Sequence, residues 1–242
     1  MLTNQKIKLI KSLGLKKNRQ KHQLFVVEGQ KGVDEFIRSG WEIDSLFATN
    51  EWLGSGADII SNKQLERISF LKSPNKVLAL IKMKDELPPI SGDTIIALDG
   101  VSDPGNLGTI IRLADWFGVA HICCSIDVVD SFNPKVVQAT MGSLSRVHIH
   151  YAELSSLLSS LTNYQLFCTV LDGQPMKRLS ESSKKVIVFG NESNGVSKNL
   201  QDQCDVLVSI PKHENSLAES LNVAMACGIC LSSSFFYSEA GS

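Results

Sequence analysis

The sequence predicts an α/β protein in two parts: a small N-terminal α/β unit and a larger C-terminal domain built on a parallel sheet. Three observations predict it. The runs TIIALDG, VAHICCS, QLFCTVLDG, KKVIVFG and CDVLVSI are continuously apolar rather than alternating, as strands are when a parallel sheet is covered on both faces. Helix-length segments fall between these runs, and strand–helix alternation is the mark of a doubly wound domain. Before them lies KDELPPISGD, 84–93, which is charged and carries a Pro pair and a Gly. That composition reads as a linker, separating a domain at 1–83 from one at 94–242.

The elements follow in order. Residues 3–13 mix cations with Ile7, Ile10 and Leu13, a spacing that predicts a helix apolar on one face and basic on the other. LFVVEG, 24–29, reads as a strand, and KGVDEFIRSG as a short helix ended by Gly40. SLFATN, ADIIS and KVLALIKM read as further strands, with a helix near 63–69. In the C-terminal domain the expected helices are 106–117, 133–142, 153–161, 197–203 and 217–232.

Composition narrows the function classes. The 242 residues are 43% hydrophobic and 20% charged, ordinary for a globular protein with a real core. No window approaches the roughly 20 apolar residues of a membrane span. The N-terminus has no uninterrupted apolar core or cleavage site, so it is not read as a secretory signal. With one Arg and one Ser before LFVVEG, a mitochondrial presequence is disfavoured as well. The six Cys form no pair of CxxC motifs, so no metal is expected and buried thiols in the cytoplasm are. Net charge is −1, yet residues 1–22 carry Lys6, Lys8, Lys11, Lys16, Lys17, Arg19 and Lys21 without one Asp or Glu. A basic segment on an otherwise acidic body favours phosphate contact, and Lys16, Lys17, Arg19 and Lys21 are its expected RNA-facing residues.

Three segments stand beyond the carboxyl ends of expected strands, where ligands bind in such sheets. In ALDGVSDPGNLGTIIRL, Asp103-Pro104-Gly105 makes a tight turn and Asn106 stands at the expected helix N-cap. Arg112, under two turns further on, is placed to add a bidentate grip on an anion at the helix start. In VIVFGNESNGVS, Gly190 and Gly195 permit close backbone approach or positive φ, and Glu192 is the lone acid. In SIPKHENSLAESLNVAMACGICL, a polar stretch leads to a helix apolar nearly all round, which must be buried or form an interface. Ser220 and Asn222 are polar groups at its start that need partners. Neither GxGxxG nor GxxxxGK[ST] occurs, which removes the main support for a nicotinamide or phosphate-loop enzyme.

Together DPGNLGTIIR, FGNESNGVS and SIP…ESLNVAMACGICL closely resemble the three motifs of the SpoU (TrmH-type) RNA 2′-O-ribose methyltransferases of the SPOUT class. The resemblance covers 94–232. KIKLIKSLGLKKNRQKHQLFVVEGQKGVDE and SPNKVLALIK also look like this family's substrate-binding domain. The resemblance implies a C-terminal trefoil knot, an exception to the rule against threaded chains. It implies S-adenosylmethionine held mainly by backbone at Val170, Leu171, Gly190, Asn191, Glu192, Gly195, Ile210, Ser220 and Leu221, with glycines 190 and 195 letting main chain close around it. It implies a homodimer through the knot helices, and an active site of Asn106, Arg112, Glu192, Ser220 and Asn222. The segment KHENSLAE departs from the family, whose members commonly have a shorter link with a Gly.

The expected reaction is methyl transfer to a ribose 2′-hydroxyl, with ribosomal RNA ahead of transfer RNA as substrate. Arg112 is expected to grip phosphate, and Glu192 to hold its guanidinium. The competing readings are a non-catalytic RNA-binding relative and a metabolic α/β enzyme using another nucleotide.

Overall fold

Local capping and apolar spacing set the N-terminal elements. Thr3 accepts a hydrogen bond from the Lys6 amide and starts α1 (Asn4–Ser12). The computed structural model describes residues 1–239, so 240–242, part of the expected domain 94–242, lie outside the described residues. Next comes α2 (Lys16–His22), a helix not expected because KKNRQKH has no apolar periodicity to announce it. Then follow β1 (Leu24–Glu28), α3 (Gln30–Arg38), β2 (Ile43–Ala48), β3 (Asp58–Ile59), α4 (Asn62–Ile68) and β4 (Val77–Lys82). A reciprocal capping box between Ser61 and Gln64 starts α4. The four strands form one sheet in the order β1-β4-β2-β3, antiparallel except for β2 with β3.

Both faces of β1 are covered, which is why LFVV is apolar throughout. Leu24 and Val26 share a core with Ile10, Leu13, Leu65 and Ile68. Phe25, pointing the other way, meets Phe36 and Trp41 edge-on with ring centroids 5.5 and 5.7 Å away, and Phe132 at 4.5 Å. Phe132 comes from far along the chain. The chain divides into two compact units, and Asp130–Arg146 belongs with Met1–Glu86 in the first. Linker composition gives no sign of that excursion, because a returning segment carries no compositional mark.

The same excursion corrects one expectation. Arg19 is not an RNA-facing cation: it is 2% exposed. Its Nε donates to Asp130 Oδ2 at 3.0 Å, and its Nη1 donates to the carbonyls of Leu13 and Gly14 at 2.7 and 3.0 Å. A guanidinium satisfied this fully is a structural pin.

The second unit comprises Leu87–Val129 and the chain from Val147. Its elements are β5 (Thr94–Leu98), α5 (Pro104–Trp116), β6 (His121–Cys124), β7 (His148–Tyr151), α7 (Leu154–Ser160), β8 (Gln165–Pro175), β9 (Lys185–Phe189), α8 (Lys198–Gln203), β10 (Val206–Ser209) and α9 (Val223–Glu239). Between β6 and β7 the chain forms α6 (Pro134–Thr140), which packs on β1 in the first unit. The six strands order as β10-β8-β9-β5-β6-β7, and every neighbouring pair is parallel. Strand β7 escapes the apolar-run criterion because HIHY lies at the sheet edge and buries only Ile149 fully. The last helix begins at Val223, not 217: Leu217 is 97% exposed and Leu221 51%, so 210–222 is loop. Burial makes the core thiols poor acids, pushing Cys123 and Cys230 up to about 12.

Arg19→Ala leaves Asp130 and two carbonyls without their donor. Removing one partner of such a pair costs about 3 kcal/mol, and urea unfolding of the variant should register a loss of that order. An unchanged midpoint would mean the pin is idle.

Candidate active site

In the second unit the strands β10, β8, β9 and β5 are parallel neighbours, so the segments after β5, β9 and β10 leave the sheet at one end. These are the three segments singled out by sequence. Asp103, not Asn106, caps α5: its carboxylate accepts from the Asn106 amide at 2.8 Å, and Pro104 takes the first helical position. The Asp-Pro pair was the available signal, since Pro is favoured just inside a helix start.

Relieved of capping, the Asn106 side chain joins the other two loops. Its Nδ2 donates to Glu192 Oε1 at 2.8 Å, and its Oδ1 accepts from Asn222 Nδ2 at 2.8 Å. Asn222 in turn stands before α9, and its Oδ1 accepts from the amides of Ala224 and Met225 at 3.0 and 3.3 Å. That direction is forced. Helix amides can only donate, so the Asn222 oxygen faces them and its nitrogen faces outward. Asn106 must then present oxygen to Asn222 and nitrogen to Glu192. Glu192 is therefore held by Asn106, not paired to Arg112 as expected.

A second tie fixes the loop after β9. Asn191 Nδ2 donates to the Gly100 carbonyl at 2.6 Å, and Asn191 Oδ1 accepts from Ser193 and Asn194 amides at 2.9 and 3.3 Å. The loop closes on itself through paired bonds between the Asn191 and Gly195 backbones. Gly195 has φ +68°, and a Cβ on Gly190 would lie 2.0 Å from the Gly195 carbonyl carbon. Gly190 is thus required by the loop's own closure. The side chain of Asn191 is likewise spent on positioning. Ser197 precedes α8 without a side-chain cap bond, and its amide donates to Asp99 Oδ2 at 2.7 Å.

Beside β9, strand β8 breaks register with β10. Leu207 pairs with Cys168, but Val208 pairs with Gln174, so 169–173 leave that ladder. Val170 and Leu171 lie in this excursion, with Leu171 77% exposed. Ile210 follows β10 and is half-buried.

Arg112 is exposed and makes no hydrogen bond or ion pair among the described residues. Ser220 and Leu221 are exposed in the loop before α9. Lys16, Lys17 and Lys21 are exposed on α2. Among the described residues no group of His, Cys, Asp and Glu is arranged to hold a metal ion. Asp103, Asp99 and the network role of Asn191 were missed by sequence reasoning.

Comparison with known proteins shows what the chain resembles. Residues 93–232 match the SpoU rRNA Methylase family, and 4–79 match the MRM3-like substrate binding domain. A 23S rRNA (guanosine(2553)-2′-O)-methyltransferase of Bacillus subtilis (strain 168) is 29% identical over 236 residues, 93% of this chain and 94% of that protein. The structure of an AdoMet-bound rRNA methyltransferase from Sinorhizobium meliloti superposes with a TM-score of 0.84 at 31% identity, covering 97% of this chain and 95% of that one. A TrmH-family structure from Porphyromonas gingivalis gives 0.86 at 31% identity, covering 97% and 98%.

The loop geometry separates two glycine variants. Gly190→Ala forces main chain apart and should cost about 1–3 kcal/mol, whereas Gly195→Ala strains only φ and should cost about 1 kcal/mol. Urea unfolding of both measures the difference, and two negligible costs would refute the closed loop.

Proposed function

The chain belongs to the SpoU rRNA methylase family, and we propose that it transfers a methyl group from S-adenosylmethionine to a ribose 2′-hydroxyl of ribosomal RNA. The observation that carries this reading is the Asn106 amide, bonded at once to Glu192 and Asn222 at the carboxyl ends of parallel strands. It gathers carboxylate, amides and helix start into one place and leaves Arg112 beside them in sequence with its donors unspent.

The chain's own residues fit the cofactor. Val170 and Leu171 in the β8 excursion, Ile210, the Gly190–Gly195 loop, Ser220 and Leu221 would hold it, chiefly by main chain and apolar contact. When bound, it supplies a methyl group on a sulfonium, an electrophile that needs an aligned nucleophile. Orientation is therefore most of the task. Arg112 does not take the proton, because a guanidinium stays protonated in proteins. It grips the phosphate next to the target ribose and stabilises charge as the 2′-oxygen forms its bond to carbon. The hydroxyl proton leaves to water. Asn106, Glu192 and Asn222 keep the surrounding loops in a single geometry while this happens.

The first unit selects RNA. Lys16, Lys17 and Lys21 are its exposed cations on α2, and a 2′-hydroxyl acceptor favours RNA over DNA. The family resemblance implies a trefoil knot in the C-terminal domain and homodimer formation through α9, where Met225 remains 61% exposed. No helix among the described residues is long and apolar enough to cross a membrane, and action on ribosomal RNA is compatible with the cytoplasm. Deleting 1–83 is a poor test of this division of labour. It would strip β1 from α6 and leave Phe132 without Phe25.

Arg112→Ala should lower methyl transfer to ribosomal RNA transcripts by roughly 10²–10³-fold, and Arg112→Lys by nearly as much, because a point charge cannot make the bidentate grip. Calorimetric affinity for S-adenosylmethionine should stay within a few-fold. Near-normal turnover by the Lys variant would overturn the role given to Arg112.

A further inference from the structure

A cavity of about 270 Å³ opens in the first unit, beside β1 and against α6. None of its lining residues belongs to the three loops. Val26, Phe70, Leu71 and Val137 make its walls largely apolar, and Glu28 is the one carboxylate among its lining residues. The volume is below the roughly 300 Å³ at which pockets for drug-sized ligands begin, so it has room for a single ring system.

Glu28 is under-supplied with donors. Its Oε1 accepts from the Phe70 amide at 2.7 Å, and its Oε2 accepts from the Ser69 hydroxyl. Those bonds use about half of a carboxylate's lone-pair sites. Burial is the largest influence on the group and pushes its carboxyl above the usual range, despite both bonds and the charge of Lys11. Cationic groups stand at the same place: Lys11 Nζ lies 5.1 Å from the Phe70 ring centroid, and Lys135 is an exposed lining residue.

We propose that this cavity receives one unstacked guanine of the RNA substrate, with Glu28 reading its Watson–Crick edge. A carboxylate only accepts. Guanine presents adjacent N1–H and N2–H donors to it. Adenine and cytosine place an acceptor beside a single donor, and uracil flanks its donor with acceptors. Apolar and aromatic walls suit the faces of a splayed base, and Lys135 suits its phosphate. The proposal rests on the reading of the protein as an RNA methyltransferase and adds a base-recognition site to it.

The test uses the full chain and two variants. Glu28→Gln keeps an acceptor for the Phe70 amide but turns one acceptor into a donor. Ala139→Phe fills the cavity from α6 without touching the bonds of Glu28. In NMR titrations the wild type should bind guanosine 5′-monophosphate about tenfold or more tighter than adenosine 5′-monophosphate, the scale of a bidentate base contact. Both variants should raise KM for ribosomal RNA transcripts about tenfold, with kcat and S-adenosylmethionine affinity unchanged. Equal binding of the two nucleotides, or an unaltered KM in the Ala139 variant, would overturn the site. Selective guanosine monophosphate binding by a wild type that transfers no methyl group would instead overturn the enzymatic reading and leave the pocket standing.

Discussion

The direction of one hydrogen bond organises the loops at the carboxyl end of the parallel sheet. The first amides of α9 can only donate, and Asn222 answers them with its carbonyl oxygen. Every later choice follows by elimination: Asn222 offers nitrogen to Asn106, and Asn106 offers nitrogen to Glu192. A chain of amides cannot flip one member without breaking two bonds, and an N-cap bond alone is worth about 1 kcal/mol. The start of the last helix thus sets the orientation of a carboxylate in a loop 30 residues earlier in the sequence, through a side chain on α5.

The sheet makes such a chain possible. Because β10, β8, β9 and β5 run parallel as neighbours, their following loops have no choice but to emerge together. Strands β5 and β9 are buried on both faces, which fixes their register against slippage and carries that precision into the loops. The exception is useful. Where β8 leaves the ladder at 169–173, main chain becomes available at the one edge where the other loops converge.

Much of this was legible in the sequence, and the parts that were not share a cause. Continuous apolar runs announced β5, β6, β8, β9 and β10, because burial on both faces is written in composition. The edge strand β7 was silent, since HIHY faces a covered sheet on one side only. Helix α2 was silent as well, for KKNRQKH has no apolar stripe. The residues of the site were picked out, but their partners were not. Asn106 was assigned the capping role that Asp103 holds, and Glu192 was assigned to Arg112. Type and spacing tell which side chains are chemically able to meet; only the fold decides which of several able donors arrives. Arg19 makes the point most sharply. In sequence it is one of seven cations in an acid-free stretch, and its burial depends on Asp130, which lies 111 residues away.

That burial also bears on how charge is used. An arginine gives five donors in a fixed fork, and the two arginines discussed here spend them in opposite ways. Arg19 places its fork on one carboxylate and two carbonyls, and its charge is committed to holding a returning segment against the N-terminal sheet. Arg112 commits none of its donors within the described residues. An exposed guanidinium with no protein partner need not break an existing ion pair to grip a ligand. Had Glu192 paired with Arg112, any anion would have had to displace a carboxylate. With Glu192 held by Asn106, that fork has no carboxylate to release.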